Sequence, residues 1–271
     1  MNRLDTRFAE LKTKKEKALV GFVAAGDPTL SASLELITAM CHAGLDILEL
    51  GIPFSDPTAD GPVIQRGAAR ALKEGSSLTR AIEMTKTLRE RTDIPIILFS
   101  YYNPIFAYGL EFFYRNSLAA GADGVLIVDL PHEESRELTE CWEKGDDFSL
   151  IRLVAPTTPK ERMKKIAANA SGFLYLVSKT GVTGSAGLDT GDVSDHITDL
   201  RAVTQLPICV GFGISTPEDA KTLAPHADGI VIGSAFERTI EEHLNDTDLV
   251  KRLEEQVRNF KASLKSAPRG E

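Results

Sequence analysis

Three carboxylates crowd the stretch LELGIPFSDPTADGP, residues 48 to 62. Glu49 lies inside an apolar run with Leu45, Ile47, Leu48, Leu50 and Ile52, while Asp56 and Asp60 follow in a Pro/Gly/Ser loop. Burying a carboxylate costs several kcal/mol or drives its pKa upward. An acid poised near neutrality can give and take a proton, so Glu49 is a candidate general acid/base. An ion pair with a buried lysine or arginine would fit the same residues. Asp60 precedes Gly61-Pro62, where an Asx turn is as good a reading as a catalytic one, and Asp56-Pro57 reads equally as a turn.

Two glycine loops supply a second kind of chemistry. Gly211-Phe212-Gly213-Ile214-Ser215 and Gly233-Ser234-Ala235 follow the last two strand-like runs. Backbone N–H groups in such loops, with a helix N-terminus behind them, bind phosphate without a cluster of basic side chains. That suits a chain of net charge -8, which also argues against a nucleic-acid partner. Either loop alone could be simple punctuation; the pair in this order carries the signal. The stretch from Ser178 to His196 is far longer than a median connection and predicts a lid. Lys179 within it could form a Schiff base as in class I aldolases, or be a solvated loop lysine.

Cysteines 41, 141 and 209 show no CxxC spacing, and the five histidines show no HxH or HExxH pattern. The reading is reduced thiols, no metal site and a cytoplasmic chain. The charged N-terminus has no signal-peptide core, and no apolar run reaches the roughly 18 residues of a membrane span.

The elements that must position these groups alternate along the chain. Strand-like runs occur at 18–26, 45–51, 94–100, 123–130, 148–155, 172–178, 206–213 and 228–235, separated by amphipathic segments such as SASLELITAMCHAG and DLVKRLEEQVRNFKASL. Continuous apolar strands between helices predict a covered parallel sheet, and eight such units predict an α/β fold of the (β/α)8 TIM-barrel type. One domain over residues 1–265 is expected, with 266–271 a flexible tail. AGLDILELGIP, AGADGVLIVDLP and HADGIVIGSA repeat one layout: a helix end, an Asp, a strand and a small-residue loop. In a barrel the strand C-terminal ends build the active site. Glu49 falls at such an end, on the same face as Ile47, so it can point inward.

The segments GFVAAGDP, LELGIPFSDPTADGPVIQ, YYNPI, LIVDLP, YLVSKTGVTG, VGFGIS and GSA follow the order found in the tryptophan synthase α subunit family. The chain resembles that family from about residue 4 to 260. The resemblance implies retro-aldol cleavage of indole-3-glycerol phosphate to indole and glyceraldehyde 3-phosphate. It implies Glu49 as the acid/base and Asp60 as the acceptor of the indole N–H. Phe22, Phe99, Leu126 and Leu153 then match the indole pocket, although core packing accounts for each equally. Tyr175 matches the tyrosine beside the acid, and Thr183 and Gly184 match the closing loop. Gly184, Gly213, Gly233 and Ser234, with Phe212, match phosphate contacts. Asp56 and Tyr102-Asn103-Pro104 match the face toward a β subunit in an α2β2 complex, to which indole would pass. The resemblance implies no cofactor in this chain, with pyridoxal phosphate in the partner. Thr58 and Lys179 depart from the family's usual leucine and arginine, and the glycine-rich stretch after Gly184 departs too. A stand-alone lyase producing free indole shares these features.

Overall fold

The computed structural model describes residues 2–143, 147–178, 190–211 and 213–265. Its strands are β1 (Ala18–Ala24), β2 (Ile47–Gly51), β3 (Ile96–Ser100), β4 (Gly124–Ile127), β5 (Ser149–Val154), β6 (Leu174–Val177), β7 (Ile208–Gly211) and β8 (Gly229–Ile232). They pair in parallel and in chain order, and β8 closes on β1, so the sheet is a closed eight-stranded barrel. Helix α1 (Arg3–Lys14) precedes β1, and α2 (Leu30–Ala43) follows it. Helices α3 (Pro62–Lys73) and α4 (Leu78–Arg89) link β2 to β3, and α5 (Tyr102–Tyr108) and α6 (Leu110–Ala119) link β3 to β4. The later connections carry α7 (Arg136–Glu140), α8 (Lys160–Ala168), α9 (Thr190–Arg201) and α10 (Pro217–Leu223), and α11 (Ser234–Glu242) and α12 (Leu249–Lys265) follow β8. The (β/α)8 expectation is met.

The strands are shorter than the apolar runs that predict them. The run 228–235 stops as a strand at Ile232, and Ser234 already begins α11. Pairing with β1 ends there and pairing with β7 already at Ile230, while the apolar pattern continues into the helix that covers the barrel. One further expectation is corrected. The stretch expected to be loop as far as His196 is helical from Thr190. Tyr102-Asn103-Pro104, after the third strand, forms the first turn of α5. Pro104 is tolerated there because first-turn amides have no intrahelical partner to lose.

The repeated Asp of the sequence echo has a structural job. Asp46, Asp123 and Asp228 each accept a backbone amide from the first or second residue of a neighbouring strand: Leu19 at 2.7 Å, Ile96 at 2.8 Å and Ile208 at 2.8 Å. Each is paired to a cation, Asp46 to Lys261, Asp123 to Arg89 and Arg3, Asp228 to Arg201. These contacts lie at the N-terminal ends of the strands, the face that serves stability in barrels.

Two cores flank the sheet. The outer one packs helices on the barrel, and α12 contributes Leu249, Leu253, Val257, Phe260 and Leu264 from one helical stripe. The inner one fills the lumen with Val20, Phe22, Ile47, Ile97, Phe99, Leu126, Ile151, Phe173, Tyr175, Cys209 and Val231. Leu4 and Leu11 of α1 join that cluster from the N-terminal end. Each fully buried aliphatic or aromatic side chain contributes about 1.5–3 kcal/mol, so the lumen is packed rather than hollow. That leaves the C-terminal mouth as the place for ligand.

Candidate active site

Glu49 brings a carboxyl into this lumen. It stands in register with Phe22 of β1 and Ile97 of β3 and is 1 % exposed. Its Oε1 is buried with no hydrogen-bond partner. The ion pair left open by sequence is not found: among the described residues no lysine or arginine bonds this carboxyl. Burial alone raises its pKa from 4.5 to about 8. At neutral pH Glu49 is therefore a protonated acid in an apolar cavity, its Oε1 without a partner among the described residues.

Glycines make room around it. A side chain on Gly51 would begin 2.5 Å from Phe22 Cζ, and one on Gly211 would begin 2.1 Å from the Tyr175 hydroxyl. Phe22 and Tyr175 thus lean over bare backbone. Phe22 meets Phe99 edge-on at 5.1 Å, a favourable arrangement of aromatic quadrupoles. Leu126, Leu153 and Tyr175 belong to or pack on the same cluster. The four wall residues read from the sequence, and Tyr175, therefore share one lumen with Glu49. Tyr175 is fully buried, and its pKa is driven well up by burial and then by the nearby Glu49 charge.

Asp60 lies on the loop between β2 and α3, immediately before the N-cap Gly61. Burial raises its pKa, and a hydrogen bond from Tyr101 works against that rise. The Tyr101 hydroxyl also accepts the Ala59 amide at 2.9 Å, and its ring packs on Phe54 at 5.3 Å. Gln65 Nε2 donates to the Asp60 carbonyl at 2.8 Å. Tyr101 was not singled out from the sequence, although Tyr102 beside it was. The signal was available in strand alternation at the end of β3, where a polar-tipped aromatic reaches the loop next door.

Gly233 is the N-cap of α11 and Ser234 its first residue, so free amides of that helix face the mouth. A Cβ on Gly233 would meet Phe22 Cβ at 3.3 Å, which places this helix start against the lumen wall. Gly213, at φ +74°, takes a left-handed turn after β7. Phe212, Thr183, Gly184 and Lys179 lie outside the described residues.

The remaining sequence candidates sit apart, on the outer rim. Asp56 is exposed and takes a hydrogen bond from Ser55 Oγ. Tyr102 donates its amide to Asp129 at 2.7 Å and its hydroxyl to Glu137 at 3.0 Å. Asn103 is exposed, Pro104 half-buried, and Phe106 on the same helix is 56 % exposed. The three cysteines are free thiols, and no metal-ligating cluster occurs among the described residues. No helix among them is long and apolar enough to cross a membrane.

An acid kept neutral in an apolar pocket, a second carboxylate at the mouth and an amide-lined helix start suit proton-driven cleavage of a phosphorylated, flat apolar substrate. Comparison with known proteins agrees. The family model described as tryptophan synthase alpha chain matches residues 8–265. The chain is 63% identical over 265 residues to the tryptophan synthase alpha chain of Desulfosudis oleivorans, covering 98% of this chain and all of that one. It is 62% identical over 270 residues to that of Desulfatibacillum aliphaticivorans, covering both in full. The crystal structure of tryptophan synthase subunit alpha from Legionella pneumophila superimposes with a TM-score of 0.89 at 36% identity, covering 98% of this chain and 99% of that one.

Proposed function

Since the chain belongs to the tryptophan synthase alpha chain family, and so cleaves indole-3-glycerol phosphate to indole and glyceraldehyde 3-phosphate, we propose that Glu49 and Asp60 carry that reaction. The breaking C–C bond needs an electron sink, and a neutral indole is a poor one. Glu49, protonated at neutral pH, gives its proton to indole C3. The resulting carboxylate takes the proton of the hydroxyl on the adjoining carbon as that C–C bond breaks and the aldehyde forms. Glu49 ends as it began, so one residue serves both transfers and the proton balance closes. Asp60 accepts the indole N–H and offsets the positive charge that develops on the ring.

Phe22, Phe99, Leu126, Leu153 and Tyr175 enclose the indole and exclude water. Gly213, Gly233 and Ser234 hold the phosphate with backbone amides and the α11 N-terminus. Gly184 and Phe212 would join them, and Thr183 would close over Asp60. Asp56 and Tyr102-Asn103-Pro104, with exposed Phe106 nearby, form the face we assign to a β subunit in an α2β2 assembly. Indole is small and apolar, so direct transfer to that partner avoids its loss. The pyridoxal phosphate of the second reaction belongs to the partner, and this chain works without a cofactor in the cytoplasm as one unit over residues 1–265.

The carrying observation is the fully buried Glu49 carboxyl with an unpartnered oxygen. Indole formation from indole-3-glycerol phosphate, assayed with and without a β subunit, tests the reading. Indole released equally in both cases would favour the stand-alone lyase. A covalent adduct with Lys179 after borohydride trapping would favour an aldolase mechanism instead.

A further inference from the structure

A second buried carboxyl, outside the lumen, has only a long 4.0 Å approach from Arg70 as its charge partner among the described residues. Glu237 lies one turn into α11 and is 0 % exposed. Its Oε1 accepts the Ala24 amide, the last of β1, at 2.7 Å. Oε2 is buried with no hydrogen-bond donor among the described residues, and its neighbour is the Asp27 carboxyl, also 0 % exposed. A side chain on Gly67 of α3 would begin 2.3 Å from Glu237 Oε2 and 3.1 Å from Asp27 Oδ2, so both carboxyls press on the one helix position that has no Cβ.

The surrounding charges do not cover Glu237. Arg70 of α3 grips both Asp27 oxygens, at 2.8 and 2.7 Å, and gives its remaining nitrogen to Glu241 at 3.1 Å. Arg66 takes both oxygens of Glu241, at 2.6 and 2.8 Å. Two guanidinium groups therefore face three carboxyls, and Asp27 and Glu241 hold them. Arg70 comes only to 4.0 Å from Glu237. A third buried negative charge beside Asp27 would be uncompensated, at a cost of several kcal/mol. Placing a proton on Glu237 resolves every group: Oε1 stays the acceptor for Ala24, and the hydroxyl on Oε2 donates to Asp27. Burial and the Asp27 charge both push the Glu237 pKa up, against the weaker pull of Arg70.

The three elements tied together here each lead into the active site. β1 carries Phe22, α3 begins just after Asp60, and α11 presents Gly233 and Ser234. We propose that Glu237 is a positioning residue for the phosphate end of the site: it donates a carboxyl proton to Asp27 and accepts the Ala24 amide, locking α11 to the end of β1 and, through Arg70, to α3. This rests on the reading that the α11 N-terminus holds the substrate phosphate. The ionisable groups facing Glu237 are Asp27 from the loop after β1 and Arg70 from α3, with Arg66 and Glu241 beyond.

Glutamine at this position can donate to Asp27 and accept from Ala24, but cannot ionise. Binding of glycerol 3-phosphate, followed by calorimetry as pH is raised from neutrality, separates the cases. Wild type should match Glu237→Gln at neutral pH and then weaken, while Glu237→Gln holds its affinity. Both retain Glu49, so any contribution from its titration is common to the two. Glu237→Leu should bind about tenfold more weakly at neutral pH, the loss expected when buried hydrogen bonds are left unmade. A Glu237→Gln chain that weakens with pH as wild type does, or that is already impaired at neutral pH, overturns the proposal. If Glu237→Leu does not fold, the glutamine comparison still decides. Thermal stability against pH offers a ligand-free reading: wild type should lose stability relative to Glu237→Gln on the alkaline side, and parallel curves would refute the shared proton. A wild-type chain that binds glycerol 3-phosphate yet yields no indole would count against the Glu49 mechanism and not against this one.

Discussion

The hydroxyl of Tyr101, at the end of β3, accepts the backbone amide of Ala59 at 2.9 Å. That bond fastens the loop after β2 next to Asp60, whose carboxyl accepts a hydrogen bond from the same hydroxyl. A loop otherwise rich in exposed residues is thus given one rigid point of attachment. Tyr101→Phe should preserve the ring packing on Phe54 and lose both bonds. One net hydrogen bond contributes about 0.5–1.5 kcal/mol, so kcat/KM for indole formation should fall roughly threefold to tenfold with little change in melting temperature. Unchanged kinetics would show that Asp60 is placed without Tyr101.

Glu49→Gln should keep the fold and lose nearly all cleavage. A positioned acid/base is worth about 10² to 10⁴ in rate, and here one group serves two transfers. Single-turnover assays with a large enzyme excess would reveal any residual activity; substantial turnover would remove Glu49 from the chemistry.

The same carboxyl predicts an alkaline limb. Its folded-state pKa of about 8 lies above the ordinary value of 4.5, so the native state holds a proton that the unfolded chain has released. The stability from keeping Glu49 neutral is complete below the ordinary carboxylate range and is lost as pH rises through about 8. Wild type should therefore lose stability relative to Glu49→Gln over that window, and its kcat/KM should fall as Glu49 ionises. Melting curves and rates measured across that range check both, and a flat difference between the two proteins would mean that Glu49 is not neutral in the fold.

Asp60→Asn replaces a carboxylate with a neutral amide of the same shape. Its loop contacts through Gln65 and the Ala59 amide involve backbone and should survive. Cleavage should drop by about 10²-fold or more, the scale seen when a group stabilising developing charge is removed. Steady-state indole formation decides this, and wild-type rates in the asparagine variant would require another acceptor for the ring N–H.

Asp56 is exposed and, among the described residues, makes only a local contact with Ser55. Asp56→Ala should leave basal cleavage nearly intact and reduce activation by the β subunit. Coupling of about 1–3 kcal/mol between binding and activity corresponds to roughly fivefold to 150-fold activation to be lost. Titrating β subunit into both proteins measures it, and superimposed curves would exclude Asp56 from the interface.

Much of this protein was legible because barrels write their pattern locally. A strand buried on both faces is apolar throughout, so an acid within it, as at Glu49, stands out without any structure. Chain order did the rest: glycine loops after the last two strands fall at the mouth because every strand runs the same way. The echoed Asp of AGLD, GADG and HADG was visible as a pattern but not as a purpose, since the amides it accepts belong to strands at the far ends of the preceding unit.

What the sequence by itself determined was the type of element at each position and the presence of a buried acid, because both follow from periodicity and composition over a few residues. Only the tertiary structure decided what that acid faces. Barrel closure brought Phe22, Phe99, Leu126 and Tyr175 around Glu49 and left its Oε1 unpartnered, with no ion pair to any lysine or arginine among the described residues. Tertiary packing likewise brought Tyr101 to Asp60 and set Glu237 against Asp27 across a long stretch of chain. Side-chain partners distant in sequence are chosen by the geometry of the closed sheet, and protonation follows from that choice, because a carboxyl's charge depends on which neighbours and how much water the fold leaves beside it.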